Sequence, residues 1–321
     1  MAKSKKSGKK PKDKKPEAEQ KVTKITAKAE EVEKAEVTTK AEKPEKAEKV
    51  VETKKHEKEE KPGKKKTGFW RTFFAKKYEG QEGILTIFKD KKLYGALMAE
   101  ALGTMILMMI VLTLGLYQPL YMLFFVLIVT VAFYKLSGAN LNPINTVGMM
   151  ATRRMSVIRG VLYILAQILG AWLATLVMGA FVGASESGME LPGMADVADG
   201  TFWKVLAIEA MGAAMVGFFF ARAQQYRKNS LAFGAIVGGG MALAMVVVYI
   251  VSYNYFGFSE NFMLNPAMAL MYQILPTAAD SVGGLLGGIG SALLIYVFFP
   301  VLAGTIGFYL SDISSQLAEE K

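Results

Sequence analysis

Cysteine is absent from the 321 residues, and histidine occurs once, as His56. Without thiols there is no disulfide frame and no thiolate metal site, and cysteine usage cannot tell which redox compartment the chain occupies. With no histidine beyond residue 56, imidazole catalysis and a His-ligated metal are excluded from everything that follows it. No metal or cofactor site is expected. The first 67 residues also lack Phe, Tyr and Trp, and they have few large aliphatic side chains. Such a segment cannot bury enough surface to offset the entropy of ordering.

That same segment carries 23 of the 38 basic and 14 of the 28 acidic residues. The rest is nearly neutral and holds almost all of the apolar side chains. A highly charged tail thus precedes a very apolar body, a combination that fits a soluble enzyme poorly. Residues 1–67 read as a disordered basic tail, suited to solvent or to anionic lipid head groups. No apolar run follows the first lysines, so the tail does not read as a secretory signal. No aromatic side chains interleave its lysines, so base stacking and a nucleic-acid partner are not expected. Residues 68–92 differ: Phe69, Trp70, Phe73, Phe74 and Tyr78 lie among Arg71, Lys76 and Lys77. Aromatic and basic side chains together suit an amphipathic segment at a membrane interface.

A hydrocarbon core of about 30 Å needs roughly 20 apolar residues per helix. Six tracts qualify, near 93–115, 117–135, 160–183, 202–222, 231–252 and 282–310. Loop charge orients them. Arg153, Arg154 and Arg159, then Arg222, Arg227 and Lys228, fall on the same side as the lysine-rich tail when six spans are counted. The segments 184–200 and 254–281 contain Glu186, Glu190, Asp196, Asp199, Glu260 and Asp280 but no Lys or Arg. The basic side and both termini are therefore expected to be cytoplasmic, with residues 311–321 as a C-terminal tail and the cell membrane as the location.

Two further apolar stretches, near 143–152 and 266–275, are too short to span, and each opens with Asn-Pro. Asn is a favoured N-cap, and Pro suits the first helical position because its missing N–H would be unpaired there anyway. The body also repeats itself. Glu100 and Gly103 lie in the first span of one half, before Asn142-Pro143. Glu209 and Gly212 lie in the first span of the other, before Asn265-Pro266. Three spans per half make the halves point oppositely through the membrane. Inverted repeats of that kind place their site at the repeat interface near the midplane. The expected fold is an all-α membrane protein of six transmembrane helices plus two re-entrant half-helices. The half-helices meet head to head, with their positive ends and Asn amides converging.

The stretch Ser137-Gly138-Ala139-Asn140-Leu141-Asn142-Pro143 resembles the first signature loop of the major intrinsic protein family, the aquaporins and glycerol facilitators. Asn265-Pro266-Ala267 resembles the second. The contexts of Glu100 and Glu209 resemble the family's paired buried glutamates, and Tyr163 to Ala171, with Gln167, resembles its third span. The resemblance covers about residues 93–310.

It implies a passive channel in which Asn142 and Asn265 donate hydrogen bonds to water or to a small neutral solute. It also implies that Glu100 and Glu209 accept from backbone N–H groups of the re-entrant loops, and that the chain assembles as a homotetramer. Departures matter as well. Ile144 stands where the family usually has Ala, and Met268 where it usually has the filter Arg. By the family's spacing, Met122, Phe262 and Met268 occupy filter positions, with Tyr253 as the fifth-span candidate. Such a constriction would be apolar and uncharged, which favours glycerol-like polyols passing along with water. A water channel with an atypical filter, a proton-coupled transporter using Glu100 or Glu209, and a membrane anchor for the tail are the competing readings.

Overall fold

The computed structural model describes residues 87–114, 119–183, 202–257, 262–274 and 285–319. The chain divides into Met1–Lys66 and Thr67–Lys321. The basic tail, residues 68–86 of the interfacial segment and the acidic stretch 184–200 lie outside the described residues.

Every described regular element is helical. Asp90 opens α1 (Lys91–Leu114), its carboxylate accepting from the Lys92 N–H at 3.0 Å. There follow α2 (Pro119–Ser137), the short α3 (Pro143–Ala151) and α4 (Val157–Gly183). The second half repeats that order. It comprises α5 (Phe202–Ala223), α6 (Ser230–Val251), the short α7 (Pro266–Ala269) and a last helix built from α8 (Leu285–Leu293) and α9 (Phe299–Glu319). A π-helical turn, Leu294–Phe298, joins α8 to α9; others extend α6 through Ser252–Phe256 and α7 through Leu270–Ile274. Among the described residues six helices are long and apolar enough to cross a membrane. Their outward faces carry large apolar side chains such as Met98, Ile128, Leu165 and Leu302, as a lipid-facing surface requires.

The two halves are interleaved. Helix α3 packs against α5 and α9 of the other half, and α7 packs against α4. The last helix runs on through Glu319, into the 311–321 stretch that the sequence assigned to a C-terminal tail. Ser311 is buried, Asp312 pairs with Arg154, and the Arg222 and Gln225 side chains both donate to the Ser315 hydroxyl. Those polar contacts hold the extra two turns against the loop after α3 and the C-terminal end of α5 with the turn that follows it.

In lipid there is no hydrophobic drive between helices, so close packing must come from small residues. A Cβ on Gly170 of α4 would lie 2.1 Å from the Ala101 carbonyl oxygen of α1. One on Gly217 of α5 would lie 2.1 Å from the Gly304 carbonyl of α9, and one on Gly307 of α9 2.0 Å from the Ala214 carbonyl of α5. These are backbone-to-backbone crossings, one pair in each half. Gly304 has a second partner: its missing Cβ leaves the space that the Ile144 side chain fills. The larger residue in the first signature is thus matched by a glycine on α9.

Gly170→Val and Gly217→Val should each lower the unfolding midpoint of the purified protein, reflecting a stability loss of about 1–3 kcal/mol or more, since backbone must move. Gly95→Ala in α1, where the added Cβ meets nothing within 4 Å, should leave it unchanged or raise it slightly. Thermal unfolding in detergent followed by circular dichroism compares the three.

Candidate functional site: two facing Asn-Pro turns on a narrow cavity

Each half-helix begins in the same way. Asn142 is extended (φ −157°, ψ 128°), and its side-chain oxygen accepts from the Ile144 N–H at 2.9 Å. Asn265 is extended too (φ −149°, ψ 102°), and its oxygen accepts from Ala267 N–H at 3.1 Å. Pro143 and Pro266 take the first helical positions. The caps leave both Nδ2 groups turned across the repeat interface. Asn142 Nδ2 donates to the Leu264 carbonyl at 2.8 Å, and Asn265 Nδ2 donates to the Leu141 carbonyl at 3.1 Å. A carboxamide has two N–H donors, so this exchange commits one from each asparagine and leaves one.

The carbonyls are aimed by an unfavourable backbone. Leu141 and Leu264, each just before its asparagine, both have φ +51°, a left-handed conformation that a bulky residue rarely adopts. A buried glutamate holds each turn there. Glu100 accepts from Asn140 N–H at 3.0 Å, Leu141 N–H at 2.7 Å, the Ser137 hydroxyl at 2.6 Å and Gln167 Nε2 at 2.7 Å. Glu209 accepts from the Met263 N–H and from Leu264 N–H at 3.2 Å. The glycine three residues after each glutamate makes room for the leucine itself. A Cβ on Gly103 would lie 2.5 Å from Leu141 Cδ2, and one on Gly212 2.4 Å from Leu264 Cδ2. The repeated Glu-x-x-Gly is therefore one device: the carboxylate binds the turn's N–H groups while the glycine seats its side chain.

Asn142 and Asn265 both line a narrow cavity with about 40 Å³ open to the centres of water-sized molecules. Its polar lining comes from these two with Thr130, Asn140 and Asn145. Leu107, Val111, Val126 and Val216 are among its apolar walls, and among the described residues no charged side chain lines it. Asn140 also lines a second, wider cavity of about 620 Å³, so the two adjoin there. Lys92, Lys135, Arg154, Arg159 and Arg227 surround that wider mouth with Asp90. The basic residues that the loops contribute thus gather at one end of the helix bundle.

The major intrinsic protein profile matches residues 87–310, most of the chain. The chain belongs to that family. Human aquaporin-1 is 29% identical over 169 residues, covering 51% of this chain and 60% of that protein. Aquaporin TIP1-2 of Musa acuminata is 28% identical over 168 residues, covering 50% of this chain and 62% of that protein. The chain spans about three-fifths of the length of these curated relatives. The crystal structure of the aquaglyceroporin from Plasmodium falciparum superposes with a TM-score of 0.54 at 17% identity, covering 68% of this chain and 96% of that one, a likeness of fold.

Of the major intrinsic protein filter positions read from sequence, Met122 and Met268 line the cavity. Phe262 is buried in the adjoining core and is not a lining residue. Tyr253 is a correction. It lies in the π-helical turn after α6, is 60% exposed, and stacks on Tyr249 one turn earlier with ring centroids 6.0 Å apart. Met241 and Met245 are the lining residues of α6 nearest in sequence, and Ser252 rather than Tyr253 is buried beyond them. Met241, Met245, Met263 and Asn145 are lining residues that motif spacing missed. Only the four-residue interval of Met241 and Met245, which puts both on one helix face, offered a sequence signal.

Glu209→Gln and Gly212→Val should each destabilise the fold by about 1–3 kcal/mol, one by stranding a buried N–H and the other by overpacking Leu264. Both release the same turn, so the double variant should lose less than the sum of the two. Denaturant unfolding of the four proteins in one detergent measures that coupling.

Proposed function

We propose that this chain forms a passive transmembrane channel for water and small neutral solutes, glycerol-like polyols among them, and is not an enzyme. One observation carries the reading: two carboxamides from opposite half-helices meet on the wall of a cavity that, among the described residues, no charged side chain lines. The uncommitted N–H of Asn142 and of Asn265 would each donate to the oxygen of a passing molecule. Pro143, Pro266 and Ala267 fix the two helix starts from which those donors project. The apolar wall, with Met122 and Met268, suits the carbon side of a polyol whose hydroxyls the amides hold. The positive ends of α3 and α7 point at the same place and oppose cations.

The proton-coupled reading asks Glu100 or Glu209 to exchange protons with the path. Both carboxylates are engaged by the loops they brace, at 0% and 1% exposure, and neither lines the cavity. That favours the bracing role. The basic mouth supports a cytoplasmic face for the loops after α3 and α5, with both termini on that side of the cell membrane. Assembly as a homotetramer, and contact of the tail with anionic lipid, complete the proposal.

Proteoliposomes containing the protein should swell in iso-osmotic glycerol or urea but not in sucrose, with no ion gradient imposed. A requirement for a pH gradient would overturn the channel reading. Met268→Arg should lower glycerol flux more than water flux, and equal loss of both would remove Met268 from the constriction. Because the chain has no cysteine, a single one introduced by Lys228→Cys should label with a membrane-impermeant maleimide only from the cytoplasmic side.

A further inference from the structure

Five methionines meet on the cavity wall: Met122 from α2, Met241 and Met245 from α6, Met263 from the loop entering α7, and Met268 from α7. Four of them are at most 4% exposed, and Met241 is half-buried. They come from three separate parts of the chain. Met122 lies early in α2 and Met245 late in α6, so each sits toward the end of its helix away from Lys135 and Arg227 of the basic mouth. Nothing about water or polyol passage calls for sulfur, since leucine would make as apolar a wall. A thioether is a soft, neutral electron-pair donor. It offers little to Na⁺ or Mg²⁺, but it is a good ligand for Cu(I) and for the similar Ag(I). Met241 and Met245, one turn apart, present two such donors from one face. Further on, a soft ion would face the amide N–H groups and the positive ends of α3 and α7, which oppose its passage.

We propose that this stretch of the cavity is a binding site for a soft monovalent cation, Ag(I) or Cu(I), held by methionine thioethers, and that its occupation closes the path. The binding half stands on the cavity alone; the closing half rests on the channel reading above.

The test uses full-length purified protein and silver nitrate in chloride-free buffer. Ag⁺ binding is measured by isothermal titration and by metal analysis after gel filtration. Replacing all five residues by leucine keeps side-chain volume nearly constant, a change that cores tolerate well. That variant should bind Ag⁺ at least about tenfold more weakly, and X-ray absorption should lose the silver–sulfur shell seen for the unaltered protein. Met98→Leu, on the exposed outer face of α1, should change neither. If the fivefold variant does not elute as a single species, the pairs M241L/M245L and M122L/M268L carry the same test. Undiminished Ag⁺ binding by the variants would overturn the site. In vesicles, micromolar Ag⁺ should stop swelling for the unaltered protein and spare the leucine variant. Methionine-dependent binding with unimpeded swelling would overturn the closure. Vesicles that never swell would instead defeat the channel reading and leave the binding site supported.

Discussion

The reciprocal exchange between the two Asn-Pro turns is the contact on which this structure depends. Each asparagine caps its own half-helix with oxygen and ties the opposite loop with nitrogen. Neither turn would hold its shape alone. A leucine in the left-handed region is strained, and backbone descending into a bilayer core needs every polar group paired. The carboxylates of Glu100 and Glu209 supply those pairs from within, and the exchange across the interface supplies them from the other half. A buried polar group stripped of its hydrogen-bond partners is costly, which is why the carboxyl group, the glycine and the leucine work as a set.

That arrangement explains why an apolar body keeps polarity at its centre. The helix crossings at Gly170, Gly217 and Gly307 bring backbones into contact around the periphery. The middle remains open because two capped helix ends, rather than side chains, meet there. Along the cavity the wall changes character. It passes from thioethers and branched aliphatics to amides, and then to the basic mouth where Asn140 is shared. On the proposed channel reading, a neutral molecule would meet donors and apolar surface there, and among the described residues the lining offers a hard cation no negative charge.

Methionine at position 268 has consequences in both directions. It removes the fixed charge that the family's arginine supplies, and it adds a polarizable sulfur to four others. A flexible, soft wall differs from a rigid charged one in what it can select. On the proposed reading, discrimination would then rest on size and on the amide donors, with a soft cation as a further occupant.

Much of this was legible from residues alone. The six spans, the inverted repeat, the two capped half-helix starts and the glutamates paired with them follow from hydropathy, charge placement and the Asn-Pro and Glu-x-x-Gly intervals. Each is a local signal that chain geometry reads directly. The lining was not legible, because it depends on which face of a helix turns inward after the helices cross. Tyr253 was the fifth-span candidate, but it lies in a π-helical turn, exposed and stacked on Tyr249, and is not among the lining residues. Residues 311–319 looked like a tail because they are polar, yet Asp312 and Ser315 meet Arg154 and Arg222 only once the bundle is assembled. Sequence therefore determined the membrane-spanning architecture and the central pair of turns, since helix starts, spans and repeats are encoded within short stretches. Tertiary structure alone decided which side chains share the cavity, because packing between distant helices sets rotation and register.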